Sequence, residues 1–185
     1  DAQSVVNWNT VLGAQRQIKK TGGWQYTYSL RWNRDTTEIP NQSTDKSDLL
    51  LPGISVDRTR SRGGMDPYWG DRQYYQIEAG SRQVLSDVDV VALRAGFRFL
   101  RTAANRHQFF FRTDAGALIT NDLNAVPQSM RFFAGGDQSV RGYAYKAISP
   151  RDSAGVVTGA RHLLTGTAEY DYEFIPRWRM AVFTD

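Results

Sequence analysis

The sequence predicts an all-β fold, an antiparallel meander of the transmembrane-barrel type, on three observations. Apolar and polar residues alternate with a period of two through about eight segments with no credible helix between them, and several segments reach ten residues or more. A period of two is the signature of a strand. Strands of soluble domains usually hold about five or six residues, whereas about 9 to 11 tilted residues cross a bilayer. Second, most links alternate between short and long, as in barrels with tight turns on one side of the membrane and loops on the other. Third, the polar sides carry dense charge of both signs: Arg31, Asp57, Glu78, Arg94, Arg98, Arg112, Asp114, Glu169, Asp171 and Glu173. A sandwich also wets one face, so alternation alone does not choose between the two, but this charge density suits a hydrated lumen.

The first segment alternates Val6, Trp8, Thr10, Leu12 and Ala14 with mostly polar neighbours, and Lys19 to Gly23 supplies a glycine-bearing turn. Trp24, Tyr26, Tyr28, Leu30 and Trp32 then share one side, with Gln25, Thr27, Ser29, Arg31 and Asn33 on the other. Arg34 to Asp48 is polar without apolar period and is expected to be an exposed loop. Leu50, Pro52, Ile54 and Val56 form the next apolar side, followed by a basic link from Arg58 to Asp71. A strand is expected from Arg72 to Val84, then another in which Val91, Leu93, Ala95, Phe97 and Phe99 oppose Arg94 and Arg98. The links at Arg58 to Asp71 and Gly80 to Asp87 fit the short-long rhythm less well. Beyond a short link at Arg101 to Arg106, Phe109, Phe111, Thr113, Ala115, Ala117 and Ile119 share a side. After residues 121–160, which hold no strand, Leu164 to Phe174 alternate against Thr165, Thr167, Glu169, Asp171 and Glu173. Ile175 and Pro176 turn the chain into a last segment with Trp178, Met180 and Val182. Trp24, Trp32, Tyr172, Phe174 and Trp178 lie toward segment ends, where interfacial aromatic girdles sit.

Composition removes several classes of function. The 185 residues carry 23 basic and 19 acidic side chains, but the net +4 is dispersed, and no basic run marks a nucleic-acid partner. Cysteine is absent, which excludes disulfides and thiolate metal sites. No stretch approaches the roughly 18 apolar residues of a membrane helix, which leaves a barrel open because its apolar surface hides in every second residue. Asp1 opens without a methionine or signal features, and Asp185 falls inside an apolar alternation, so the chain reads as an internal piece. No HExxH, GxSxG or P-loop pattern is present. Of the two histidines, His107 falls in a short turn and reads as solvated. Glu169, Asp171 and Glu173 could bind a hard cation, but a lumen wall with arginine neighbours accounts for them better. No enzyme, metal or cofactor is therefore expected.

Arg131 to Asp152 is the stretch around which the rest is arranged. It enters on Phe132 and Phe133, passes the pair Gly135 and Gly136 with Asp137, and presents Arg141 between Val140 and Gly142, with Tyr143 next. Structureless segments this long inside a compact domain are usually functional. Arg141 has two readings on residues alone, a solvated turn arginine or a guanidinium fork held against a carboxylate.

RFFAGGDQSVRGYAYKAISP (Arg131–Pro150) resembles the loop signature of the outer-membrane assembly superfamily with periplasmic POTRA domains and a 16-stranded surface-antigen-type barrel, related to BamA. LLLPGISVDRTRSRGG (Leu49–Gly64) and YWGDRQYY (Tyr68–Tyr75) look similar to its TamA-type members. A Gly-x-x-Glu strand, Gly166 to Glu169, and a Phe-x-Asp strand, Phe183 to Asp185, follow in the family's order. The resemblance implies that residues 1–185 are a partial barrel, about strands 6 to 13 of the 16, with residues 121–160 as an inward-folded loop and the POTRA domains outside the chain. It also implies that Arg141 latches to Glu169 and Asp185, with Gly142 setting the approach by close packing and Tyr143 by a polar tip. The implied function is folding and inserting outer-membrane proteins, autotransporters especially, in the Gram-negative outer membrane. The implied partners are the lipid bilayer, client β-barrel polypeptides and a TamB-like inner-membrane-anchored protein. A two-partner secretion pore exporting a soluble protein is the nearest alternative, and a passive porin a more distant one.

Overall fold

The computed structural model describes residues 6–38, 45–153 and 155–185. They form one eight-stranded antiparallel sheet in simple sequence order: β1 (Val6–Lys19), β2 (Trp24–Glu38), β3 (Asp45–Arg62), β4 (Trp69–Gly80), β5 (Val90–Ala103), β6 (His107–Thr120), β7 (His162–Ile175) and β8 (Trp178–Thr184). Each strand pairs with the next, so the sheet is a meander with β1 and β8 at its edges. Seven of the eight strands have 12 residues or more, longer than a soluble sheet needs and enough to cross a bilayer at a tilt.

The links divide cleanly between the two ends of the sheet. Residues 20–23, 63–68, 104–106 and 176–177 turn the chain at one end, while 81–89 and 121–161 lie at the other, where β2 ends and β3 begins. Three sequence expectations differ from the structure. The exposed loop expected at Arg34 to Asp48 is mostly strand, since β2 continues to Glu38 and β3 begins at Asp45, with residues 39–44 outside the described set. The Arg58 to Asp71 link likewise shrinks to 63–68. Apolar alternation fades where a strand leaves hydrocarbon, because both faces are then wet and the backbone ladder with polar cross-strand pairs suffices. Arg34, opposite Asp48, makes such a pair, with Nε and Nη2 each 2.8 Å from a carboxylate oxygen. β4, by contrast, stops at Gly80 rather than Val84, and Ser81 to Leu85 close a tight turn in which the Val84 amide donates to the Ser81 carbonyl.

Cross-strand registers join the apolar sides into one continuous outward band. Tyr28, Ile54, Ile77, Leu93 and Ala117 form one row; Tyr26, Val56, Tyr75, Ala95, Ala115 and Leu164 form the next. Leu12, Leu30, Ile54, Ile77, Phe111, Leu164 and Met180 are all more than two-fifths exposed. So broad an apolar face is unstable against water and stable against lipid.

The inward face is not uniformly polar. Toward the long-loop end, Leu49, Leu51, Val90, Ala92 and Leu118 are buried together with Val88 and with Val126, Met130 and Phe132 of the 121–161 loop. The loop therefore folds onto the inner wall, where its apolar root and the wall make the hydrophobic core. Beneath it, Glu78 is almost fully buried between Arg31 (2.8 Å) and Arg94 (2.9 Å), and Arg94 Nη2 donates to the Met130 carbonyl. At the short-turn end, Asp66 of the 63–68 turn accepts two 3.1 Å hydrogen bonds from Arg179 of β8.

Candidate functional site

The inner wall at β6, β7 and β8 positions the site. Glu169 of β7 stands opposite Phe183 of β8, so both side chains emerge on the inward face, and Asp185 follows Phe183 on the same side. Above them the loop makes a compact turn: the Gly136 amide donates to the Tyr143 carbonyl (3.0 Å), the Ser139 amide to the Gly136 carbonyl (2.9 Å), and Ser139 Oγ accepts from the Gly135 amide (2.8 Å). Gly135 has φ +110°, and a Cβ there would come within 2.5 Å of the Ala144 carbonyl oxygen, so glycine is required both for conformation and for space.

This turn aims Arg141 at the wall. Its Nη1 lies 2.5 Å from Glu169 Oε2; Nε and Nη2 donate to the two oxygens of Asp185 at 3.1 and 3.2 Å; and its backbone amide adds a bond of 2.7 Å to the same carboxylate. The guanidinium carbon sits 3.5 Å from the centre of the Phe183 ring. Asp185 also accepts from Thr167 Oγ1 (2.7 Å), whose oxygen in turn accepts from Arg112 Nη2 (3.0 Å). Arg112 reaches back to the loop through the Ser139 and Asp137 carbonyls (3.1 and 3.4 Å), so the wall holds the loop by two arginine-centred contacts. The Asp185 side chain is only 4% exposed and Arg141 25%, which leaves the ensemble half-shielded from lumen water. A planar fork that engages two carboxylates and a ring together is a task for arginine rather than lysine.

The remaining candidates scatter around this centre. Val140 bridges to Gly136 within the turn, and Asp137 contributes its carbonyl while its side chain is exposed. Gly142 does not serve close packing: a Cβ there would meet nothing within 4 Å, and its φ of +84° is the constraint. Tyr143 is 58% exposed and contributes its carbonyl rather than its hydroxyl. Gly166 lies on the outward side of β7, where a Cβ would find no atom nearer than the Arg112 carbonyl oxygen, 3.9 Å away. His107 opens β6 instead of a solvated turn; it packs against Tyr170 and Tyr172, with Nδ1 2.7 Å from the Tyr170 hydroxyl.

Two features have no counterpart among the sequence expectations. Arg31, Glu78 and Arg94 share the inward side by parity, but nothing in the sequence pairs them into a cluster. The seat of Phe132 is hidden too: a Cβ on Gly116 would fall 2.3 to 2.8 Å from the Phe132 ring, so an inward glycine in an otherwise filled strand is the signal that could have found it. Among the described residues no group of three His, Asp or Glu could hold a metal ion, and none of the ion pairs forms a nucleophile–base arrangement.

Comparisons with known proteins give the family and the fold. Residues 5–185 match the Omp85 superfamily domain. The outer membrane protein assembly factor BamA of Nitratidesulfovibrio vulgaris is 32% identical over 106 residues, which are 57% of this chain and 13% of that protein. The crystal structure of BamA from Haemophilus ducreyi lacking POTRA domains 1–3 superposes with a TM-score of 0.74 at 15% identity, over 97% of this chain and 40% of that one. The chain thus spans a minor part of the relatives it resembles.

Proposed function

Because the chain belongs to the Omp85 superfamily and forms wall strands of an outer-membrane β-barrel, we propose that it is part of a factor that folds and inserts other β-barrel proteins into the outer membrane. The observation that carries this reading is the 121–161 loop, folded inward and tied by Arg141 to Glu169 and Asp185. A loop of this length clamped across the inner wall narrows the lumen, which disfavours an open diffusion path. An insertase needs its wall held in a defined shape while unpaired strand edges elsewhere in the barrel accept a client strand, because lipid offers backbone groups no other partner. The latch is thus a positioning device, and the chemistry is strand addition without a nucleotide or cofactor.

Within the superfamily, the residues of Arg131–Pro150 and Leu49–Gly64 favour the TamA type, which implies autotransporter clients and a TamB-like partner anchored in the inner membrane. The barrel-insertion reading is tested by reconstituting the full-length protein that contains this chain in liposomes and following protease protection of an added unfolded β-barrel client. Insertion should fall at least tenfold for D185N/E169Q, which removes both counter-charges of Arg141. Unchanged insertion by that variant, with the loop shown by crosslinking to be displaced, would refute the role given to the latch. Copurification with a TamB-like protein rather than with assembly lipoproteins separates the TamA-type reading from a BamA-type one.

A further inference from the structure

At the short-turn end the outward face changes character. Arg62 of β3, Trp69 of β4, Arg101 of β5 and Phe109 of β6 stand in one cross-strand row, with Arg60, Asp71 and Phe99 in the row beside it. Three guanidinium groups surround a single indole: the carbons of Arg60, Arg62 and Arg101 lie 5.4, 5.1 and 4.5 Å from the Trp69 ring centre. Arg58 stacks on Trp24 at 4.5 Å in the same belt. Asp71 answers Arg60 at 2.9 Å and Arg58 at 3.9 Å. Four arginines against one carboxylate leave a surplus of three positive charges on this patch, most of the chain's +4. Arg60 is forked onto Asp71 and Arg101 Nη1 donates to the Gly70 and Leu100 carbonyls (2.7 Å each), but among the described residues neither Arg101 nor the exposed Arg62 has a carboxylate partner, so this row carries uncompensated positive charge.

Six residues further along the same strands (62 to 56, 69 to 75, 101 to 95) the outward face opens into an apolar groove of about 470 Å³. Ile54, Val56, Tyr75, Leu93, Ala95 and Ala115 line it. The small side chains of Ala95 and Ala115 form its floor between bulkier neighbours. Six residues of strand span roughly 20 Å, and at a tilt of about 45° this is roughly 15 Å along the membrane normal, half of the ~30 Å hydrocarbon core. The cationic row and the groove are therefore one leaflet apart. Short turns mark the periplasmic side, so this leaflet is the inner one, built of glycerophospholipids.

We propose that the outward face of β3–β6 is a binding site for an anionic glycerophospholipid of the periplasmic leaflet, its phosphate held by Arg62 and Arg101 beside Trp69 and its acyl chains laid toward the groove at Ala95 and Ala115. Guanidinium forks match phosphate oxygens in geometry as well as charge, and tryptophan settles at the headgroup level. The proposal rests on the outward band meeting lipid, not on the insertion activity.

Trp69 is its own reporter. The full-length protein is reconstituted in phosphatidylcholine nanodiscs that contain, as the same minor fraction, either phosphatidylglycerol or phosphatidylcholine brominated high on one acyl chain; Trp69 emission is isolated by subtracting the W69F protein. Brominated phosphatidylglycerol should quench Trp69 as though enriched roughly fivefold over its bulk fraction. The difference between the two lipids should vanish in R62Q/R101Q and survive in part in R62K/R101K, while quenching in fully brominated phosphatidylcholine stays unchanged and certifies that the barrel is inserted. Equal quenching by the two lipids, or selectivity that persists in R62Q/R101Q, overturns the site. Absence of quenching even in fully brominated phosphatidylcholine overturns it by a different route, because the outward band would not be facing lipid.

Discussion

Arg141 shows how much one side chain can fix when its partners are set by strand register. Its fork engages Glu169 with one nitrogen and Asp185 with two others, beside the Phe183 ring. Removing one member of a buried pair costs about 3 to 5 kcal/mol, and a partly wet lumen lowers that to about 2 kcal/mol. R141A in the reconstituted full-length protein should therefore raise the protease-sensitive population of the 121–161 loop roughly thirtyfold. R141K, which keeps the charge but loses the fork, should fall between R141A and wild type; R141K indistinguishable from wild type would show that charge alone does the holding. A second comparison separates packing from charge. G116A places a methyl into the Phe132 ring and should release the loop root, whereas G166A, with open space on the outward side, should leave the loop protected. Equal loop protection in both alanine variants would show that Phe132 does not need its seat on Gly116.

At the scale of elements, strand identity is legible in the sequence wherever one face meets hydrocarbon, and illegible wherever both faces meet water or protein. β5 and β6 announce themselves by Leu93, Ala95 and Phe97 against Arg94 and Arg98, and by Phe109, Phe111 and Thr113 against Arg112 and Asp114. The extensions of β2 and β3 through Arg34 and Asp48 carry no such contrast, so their sequence looks like a loop although the backbone ladder continues. The carboxylates opposite Arg141 are legible through parity and the resemblance together, because register with a known period fixes the side of every residue. The Arg31–Glu78–Arg94 cluster is not, because Glu78 reaches Arg94 only on a diagonal and Arg31 only across the side-chain gap left by Gly53 of β3, neither of which parity reveals. The 81–89 connection adds a titratable feature outside the strands. Hydrogen bonds from the Arg82 amide and the Ser81 hydroxyl hold the Asp89 carboxyl below its ordinary value. A depressed folded value means stabilisation that is present above the unfolded pKa and lost as pH falls through the folded one. Amide exchange at Arg82 should accordingly accelerate below the usual carboxylate range, beyond its intrinsic pH trend, and D89A, which removes the acceptor, should exchange fast at every pH. A flat profile in the wild type would remove Asp89 as the clasp of that loop.

For the whole molecule the decisive property is that the sheet has two differently solvated faces, and the assignment of each can be reversed by experiment. Val56 and Ser55 are neighbours in β3. Val56 lies in the outward row with Tyr26, Tyr75 and Ala95, six residues and about a leaflet's depth from Arg62 at the end of β3. Ser55 faces inward between Thr27 and Gln76. An arginine on the lipid face near the bilayer midplane costs about 2 to 4 kcal/mol, and one in a hydrated lumen far less. V56R should therefore lower the denaturant stability of the reconstituted full-length barrel by about that amount, while S55R, one residue away and carrying the same added charge, should change it little. The added side chain and the net charge are identical in the two variants, so the difference isolates solvation. If S55R were the costly substitution, the sheet would be turned inside out relative to the membrane, and Arg141, Glu169 and Asp185 would lie on the lipid side, where a half-shielded ion cluster could not persist. The same inversion would strand Leu30, Ile77 and Leu93 in water. The orientation of the barrel wall and the placement of the latch thus stand or fall on one pair of adjacent substitutions.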